Sequence, residues 1–139
     1  MSVDKAKLTR QFIEALPHAK ALGMEMLDIG DGTATIRMPY NANLVGDPET
    51  GVVHGGAVSA LMDTAGGAAV MSHPKALAST ATIDLRIDYM RSATPGQAIV
   101  TTAECHTVTR SVAFVRATAR DEEDTPVATA TGAFTVETK

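Results

Sequence analysis

The chain has 139 residues, of which 45% are hydrophobic and 20% are charged, as expected for one ordinary globular domain spanning residues 1–139. Its formal net charge is −4 and its charges are interspersed, so no basic stripe is available to hold a nucleic-acid backbone. Cys105 is the single cysteine, and the four histidines are scattered. This pattern excludes an internal disulfide and a structural zinc, and we expect no metal and no redox cofactor.

The chain shows no sign of export or of a membrane span. Its first residues are charged and helical in pattern, unlike the basic and apolar regions of a signal peptide. The most apolar stretch, residues 52–71, contains four glycines and Asp63, which argues against a transmembrane helix. We therefore expect a cytoplasmic protein in which this stretch is buried.

The N-terminal third predicts a helix, a hairpin and a loop. Apolar residues at helical spacing follow Ser2, a good N-cap residue, and Pro17 ends the pattern; they are Leu8, Phe12, Ile13 and Leu16. Strand-like runs at 24–29 and 33–38 flank a Gly-Asp-Gly turn, which predicts a hairpin. Residues 39–51 are rich in Asn, Asp, Gly and Pro and predict a long loop, a frequent location of functional residues.

Residues 53–72 predict a helix of about 18 residues, roughly 27 Å long, that is enclosed by the rest of the fold. Apolar and polar residues then alternate from Thr80 to Tyr89, which predicts a half-buried strand. Further strands are predicted at 97–109, 111–120 and 125–136, with a charged turn at 121–124. Long antiparallel strands twist and curl. A curled antiparallel sheet of about six strands wrapped around one long central helix is the hotdog fold, of the α+β class.

Asp63 is the only charged residue of the predicted helix. A helical wheel places small residues within about 60° of it, namely Gly56, Ser59, Ala60, Gly66 and Gly67. A glycine inside a helix costs about 1 kcal/mol relative to alanine, so we expect another backbone or a ligand to approach this face closely. Both a helix pair in a homodimer and a ligand channel fit. Asp63 itself is either a buried acid bonded to a partner chain or a reactive group.

The sequence GVVHGG at residues 51–56 leads into this helix. The first turn of a helix has unpaired N–H groups and the positive end of the dipole, and glycines there allow a substrate oxygen to approach. Gly55 and Gly56 are therefore candidates for substrate contact, and the most specific role for their N–H groups is an oxyanion hole. For His54, a capping or packing role is the simpler alternative.

At these residues the sequence resembles the hotdog-fold acyl-CoA thioesterases of the phenylacetyl-CoA thioesterase (PaaI) type. The similarity covers nearly the whole chain, and its specific part is His-Gly-Gly followed by the helical Asp63. In such enzymes the helix N–H after the histidine polarises the thioester carbonyl, and the helical carboxylate, from the facing subunit, acts as general base or nucleophile. The resemblance assigns these roles to Gly55 and Asp63, a water-positioning role to Thr82 and a supporting role to His54.

The chain departs from this family in the preceding loop. Family members often have an asparagine three residues before the loop glycine, whereas Pro48 stands there, so Asn43 is the candidate replacement. By alternation Thr82 lies on the polar face with Asp84 and Arg86. Arginine binds phosphate bidentately, so Arg91, Arg110 and Arg116 are candidates for coenzyme A contacts, with solvated surface charges as the alternative.

The leading hypothesis is hydrolysis of an aryl or short- to medium-chain acyl-CoA by a homodimer, paired into a homotetramer. The small-residue face around Asp63 suits the close approach of two helices. A hotdog hydratase or dehydratase is a second hypothesis, although such lyases pair a carboxylate with a catalytic histidine and His54 lies about 180° from Asp63 on the wheel. A non-catalytic acyl-CoA-binding protein is the third.

Overall fold

A computed structural model describes residues 3–77 and 79–138. Ser2, the predicted helix cap, lies outside these residues. The helices are α1 (Val3–Ala15), α2 (Pro17–Ala21) and α3 (Gly55–Ser72), with a short 3-10 turn at Ala42–Leu44. The strands are β1 (Glu25–Gly30), β2 (Thr33–Met38), β3 (Val45–Asp47), β4 (Val52–Val53), β5 (Thr82–Tyr89), β6 (Ile99–Val108), β7 (Val112–Arg120) and β8 (Ala128–Thr135).

Six strands form one antiparallel sheet in the order β1-β2-β6-β7-β8-β5. The sheet packs around α3, which contacts β2, β6 and β7 most extensively. Along α3, Leu61, Met62, Ala65 and Ala69 are fully buried. The predicted hotdog fold is therefore confirmed, and so are the N-terminal hairpin and the long central helix.

The core is built mainly from small side chains of the sheet. Six buried alanines from β6, β7 and β8 lie on the inner face of the sheet; they are Ala103, Ala113, Ala117, Ala119, Ala128 and Ala130. Small residues let the helix lie close to the sheet, and the few large residues fill what remains. Phe134 is the largest fully buried side chain, and a Cβ on Gly66 would lie 2.7 Å from its Cζ atom. Gly66 therefore serves the packing of the sheet on α3 and does not belong to an open face around Asp63.

Several boundaries differ from the sequence-based prediction. Helix α3 begins at Gly55 and not at residue 53, because Val52 and Val53 pair with β3. Pro17 ends α1 as predicted but also opens α2, where its fixed φ suits a first helical position. The predicted loop at 39–51 contains β3, which pairs with β4 in a small separate hairpin.

One prediction of burial is wrong for the single chain, and α1 leaves part of its apolar face uncovered. Strand β5 has no buried residue, because it lies at the edge of the sheet and pairs on one side only, with β8. Helix α1 buries Thr9 and Ile13, whereas Leu8 and Phe12 are 65% and 52% exposed. The described helices include none with the length and apolar character needed to cross a membrane.

Candidate active site

The carboxylate of Asp63 is held by a hydroxyl group from the edge strand. The Thr82 Oγ1 donates a hydrogen bond of 2.6 Å to Asp63 Oδ1. Asp63 lies in the middle of α3 and is partly exposed, and Thr82 is the first residue of β5. The two residues that the resemblance paired in one site are therefore in direct contact.

A β-bulge brings Thr82 to Asp63. Thr82 pairs with Phe134 and Asp84 pairs with Ala133, so Ile83 is an extra residue in β5. Directly paired residues share a face of the sheet, so Thr82 lies on the inner face with the buried Phe134. Simple alternation had placed Thr82 on the outer face with Asp84. That prediction is wrong because one inserted residue reverses the phase of the strand.

The first turn of α3 is capped by its own preceding histidine. His54 Nδ1 accepts a hydrogen bond of 2.8 Å from the Gly56 N–H, and its carbonyl accepts one from the Ala57 N–H. The Gly56 N–H is thus occupied, and His54 has the capping role that was the simpler alternative. Within the described part of the chain, the Gly55 N–H has no hydrogen-bond acceptor. Gly55 is exposed, so its N–H is the group of this turn that is open to a ligand.

Tyr89 forms a second contact at this helix end that the sequence analysis missed. Its hydroxyl donates a hydrogen bond of 2.8 Å to the Gly55 carbonyl. It pairs with the buried Ala128 and therefore points to the inner face of β5. The sequence did indicate its direction, because Tyr89 is on the apolar side of the alternation that runs from Thr80 to Tyr89. The ring lies beside Gly55, where an added Cβ would be 3.5 Å from Tyr89 Cε1.

Asp63 and Thr82 line a cavity of about 160 Å³. Its other walls are mostly apolar and come from α1, α3 and β8; they include Phe12, Ile13, Leu16, Gly67, Met71 and Phe134. Gly67 keeps this cavity open, because an added Cβ would meet only Thr80 Cγ2, at 3.9 Å. The polar pair Asp63–Thr82 therefore stands at the wall of an apolar pocket.

Gly55 and Asp63 of one chain are too far apart to act on one small group. Eight residues of helix separate them, which is about 12 Å along the axis at 1.5 Å per residue. The N-terminal N–H and the carboxylate of the same helix therefore belong to two different locations on the surface of the chain.

The loop before α3 folds back onto the helix start. The Leu44 carbonyl accepts a hydrogen bond of 2.7 Å from the His54 N–H, and Gly46 approaches His54 so closely that a Cβ on Gly46 would lie 2.9 Å from the His54 Cα.

Asn43 precedes Leu44, and its exposed side chain makes no hydrogen bond to the described residues. Pro48 lies in the turn between β3 and β4, where Asp47 binds the Glu49 N–H and the Thr50 hydroxyl.

The candidate phosphate-binding arginines lie apart from each other. The Arg91 guanidinium forms a two-bond ion pair with Asp121 and also donates to the Ser92 and Thr125 carbonyls, so its hydrogen-bonding capacity is used within the chain.

Arg110 lines a cavity of about 440 Å³ with Lys75. Lys75 follows the C-terminal end of α3, so this cavity is remote from Gly55 at the other end of the helix. Arg116 is exposed on β7. The structure does not gather the three into one site.

Comparison with known proteins identifies the family to which this fold belongs. Residues 50–128, which include α3, β5, β6 and β7, match the family model of the thioesterase superfamily. A protein of Halobacterium salinarum named as an esterase is 35% identical over 140 residues, covering 96% of this chain and 93% of its own length. The chain belongs to the thioesterase superfamily. Membership of this superfamily supports thioester hydrolysis as the general activity of the chain.

Two further proteins resemble this chain, one in sequence and one in fold. The medium/long-chain acyl-CoA thioesterase YigI of Escherichia coli K12 is 26% identical over 138 residues, covering 90% of this chain and 88% of YigI. The solved structure of E. coli PaaI, from the phenylacetic acid degradation operon, superposes with a TM-score of 0.84 at 21% identity and covers 96% of this chain and 94% of that chain. The fold of this thioesterase is thus that of PaaI. Among its described residues, no group of three or more His, Cys, Asp and Glu is placed to hold a metal ion.

Proposed function

We propose that this thioesterase hydrolyses acyl-CoA to the free acid and coenzyme A, with Asp63 as general base or nucleophile and the Gly55 N–H as oxyanion donor. The observation that carries the proposal is the hydrogen bond from Thr82 to Asp63 in the wall of an apolar cavity. A carboxylate beside an apolar pocket suits a substrate with a reactive carbonyl at the head of a hydrocarbon group.

The two reactive groups meet only between two chains. Because about 12 Å separates Gly55 from Asp63 along α3, the Gly55 N–H of one chain acts with Asp63 of a second chain. A two-fold symmetric pair of antiparallel α3 helices brings each Gly55 toward the opposite Asp63 and generates two equal sites. The exposed edge strand β5, with Ile83 and Tyr89 half-exposed, supplies apolar surface for such a dimer. Further pairing of dimers gives the proposed tetramer.

The reaction follows from the geometry of these groups. Thr82 donates to Asp63 Oδ1, which leaves Oδ2 to take a proton from water. The water oxygen attacks the thioester carbon, and the carbonyl oxygen, now negative, accepts a hydrogen bond from the Gly55 N–H. Collapse breaks the C–S bond, and the leaving thiolate takes the proton from Asp63. In the nucleophilic variant Asp63 attacks the carbon directly, and the C–S bond breaks to release the thiolate and leave a mixed anhydride. Water hydrolyses the anhydride to the free acid and the Asp63 carboxylate, and the proton released goes to the thiolate.

The contacts of His54 support the capping role rather than the catalytic role that the hydratase hypothesis gives it. Its Nδ1 is already bonded to the Gly56 N–H, so this nitrogen is not available as an acid or base. We also propose a medium- or long-chain acyl group, by analogy with the relative YigI, and a cytoplasmic location.

The proposal is tested by thiol release from acyl-CoA. Replacement of Asp63 by alanine is expected to lower turnover by at least about a hundredfold, the low end of a general base contribution, without unfolding the chain. The matched control is Asp88→Ala, because Asp88 lies on the same strand as Thr82 but on the outer face, exposed and paired with Arg86. Turnover of Asp63→Ala within threefold of wild type would show that Asp63 is structural.

A further inference from the structure

Helix α1 is held on the rest of the fold by the buried Thr9 and Ile13 and by polar contacts of Lys5 and Arg10. The Lys5 ammonium donates to the carbonyls of His73, the C-cap residue of α3, and of Ala76 in the segment after it, and Arg10 donates to the Met26 carbonyl of β1. Positive side chains at a helix C-terminus are favourable because they meet its unpaired carbonyls. Next to these contacts α1 presents Leu8 and Phe12, which lie one turn apart and are more than half exposed.

These two residues line a groove of about 570 Å³. Its remaining walls are Lys5, Thr9, Gln11 and Met71. This volume lies within the range of about 300 to 1,000 Å³ that is usual for sites of organic ligands, whereas the 160 Å³ cavity at Asp63 lies below it. Phe12 and Met71 line both spaces, so the groove and the Asp63 cavity adjoin each other across these two side chains.

We propose that the groove binds the distal methylenes of a long acyl chain whose carbonyl lies at Asp63 of the same chain, and that Phe12 sets the accepted length. This inference rests on the proposed function. The small cavity takes the first carbons of the acyl group, and the chain continues past Phe12 and Met71 toward Leu8. The occupant is an uncharged hydrocarbon, because the one charged wall residue, Lys5, is held by the carbonyls at the end of α3.

The burial of methylenes gives this arrangement its selectivity. Each methylene removed from water contributes about a fourfold factor in binding. An acyl chain long enough to enter the groove gains this factor in binding for each methylene that it buries there. A butyryl group ends inside the small cavity and gains none of it in the groove. Enlarging Phe12 closes the passage, and a charge at Leu8 opposes the entry of hydrocarbon.

The test is kcat/KM for straight-chain acyl-CoA thioesters from butyryl to hexadecanoyl, measured by thiol release. The ratio of the hexadecanoyl to the butyryl value is expected to fall at least about tenfold in Phe12→Trp, the low end for one methylene in an apolar pocket. Leu8→Asp is expected to lower the same ratio. Phe114→Trp is the matched control, because Phe114 is an exposed phenylalanine on the outer face of β7, and it should leave the ratio unchanged.

The possible results separate this inference from the proposed function. An unchanged ratio in both Phe12→Trp and Leu8→Asp, with hydrolysis intact, would overturn the inference alone. Dissociation of the oligomer by these substitutions in sedimentation would also overturn it, because the groove would then be covered by a second copy of the chain. Absence of hydrolysis by the wild-type protein at every chain length would overturn the proposed function itself.

Discussion

At the scale of single residues, the Gly55 N–H is the donor on which the proposed oxyanion stabilisation depends. Gly55 does not have a positive φ, so its backbone conformation is open to alanine. An added Cβ would meet Tyr89 at 3.5 Å, an ordinary contact. The glycine is therefore not required by the fold, and the proposed oxyanion role is the reason we offer for its place in the first turn of α3.

Gly55→Ala is accordingly expected to reduce turnover by about ten- to a hundredfold, or about 1.4 to 2.8 kcal/mol in the transition state. The added methyl group displaces the substrate's carbonyl oxygen from the N–H but leaves the N–H in place. The loss of turnover is therefore smaller than for a deleted donor. Steady-state kinetics and thermal melting check this together. Unchanged turnover would remove the oxyanion role from Gly55, and a much lower melting temperature would show that the glycine serves backbone shape.

The sequence indicated Asp63 and Gly55 because each stands out locally, one as a lone charge in a helix and the other in a glycine-rich helix start. It indicated Thr82 only through the family resemblance. Tyr89 was not identified as a site residue, because its contact with Gly55 joins two elements that are far apart in the chain. Burial could not be predicted at Leu8 and Phe12, since helical spacing shows that a face is apolar but not what covers it.

At the scale of elements, the three helix glycines that seemed to form one face serve different purposes. Gly66 makes room for Phe134, Gly67 leaves the Asp63 cavity open, and a Cβ on Gly56 would lie 2.8 Å from His54 Nδ1. A helical wheel places them together because it contains only angles. The surrounding sheet and loop separate them.

Adjacent substitutions distinguish two of these roles. Gly66→Ala and Gly67→Ala gain the same helix propensity, about 1 kcal/mol, because both positions lie within α3. The Gly66 variant also overpacks the core against Phe134, at a cost of about 1 to 3 kcal/mol, whereas Gly67→Ala meets only Thr80 at an ordinary distance.

Urea unfolding should therefore give Gly67→Ala a higher free energy of unfolding than Gly66→Ala, by about the overpacking cost of 1 to 3 kcal/mol. The Gly67 variant should still lose turnover, because its methyl group enters the cavity beside Asp63. Equal stability of the two variants would contradict the assignment of Gly66 to core packing.

The bulge in β5 is the element that sequence reasoning missed. Alternation predicts a strand well, but one extra residue reverses which face every earlier side chain occupies. A signal was present in β8, where a Cβ on Gly132 would lie 2.7 Å from the Asp84 carbonyl. A glycine within a strand often marks such a close approach of a neighbouring backbone.

At the scale of the whole molecule, the ion pair between Arg91 and Asp121 fastens the end of β5 to the turn between β7 and β8. The Asp121 side chain is fully buried and accepts further hydrogen bonds from the Thr94 and Glu123 N–H groups. The bonds from Arg91 are the largest cause that holds the pKa of Asp121 far below its ordinary value of 3.8. Arg91 thus supports the architecture, and its guanidinium is occupied by contacts within the chain.

This lowered pKa makes part of the stability dependent on pH. Because the unfolded state binds a proton at Asp121 before the folded state does, the contribution is complete above the ordinary pKa and is lost as the pH falls from about 5 toward 2. Asp121→Asn is expected to lower the free energy of unfolding at pH 7 by about 3 kcal/mol and to flatten its fall in acid. Denaturant titrations across this pH range check both effects, with Asp88→Asn as an exposed control. An unaltered acid limb in Asp121→Asn would contradict this account.

The fold was largely predictable because it follows from local alternation and helical spacing, but the assembly lies beyond one chain. The exposed side chains of β5 and the separation of Gly55 from Asp63 both point to a second copy. The proposed site is complete only when two chains combine, so its mechanism is a property of the oligomer.

The most direct test of the central claim is the activity of a mixture of Asp63→Ala and Gly55→Ala chains after they are unfolded together and refolded. If each site joins Gly55 of one chain to Asp63 of the other, every mixed dimer contains one intact site and one doubly defective site. Statistical pairing then restores about a quarter of wild-type turnover, well above either variant alone. Activity no higher than the mean of the two variants, in a mixture shown to contain mixed dimers, would contradict the shared site.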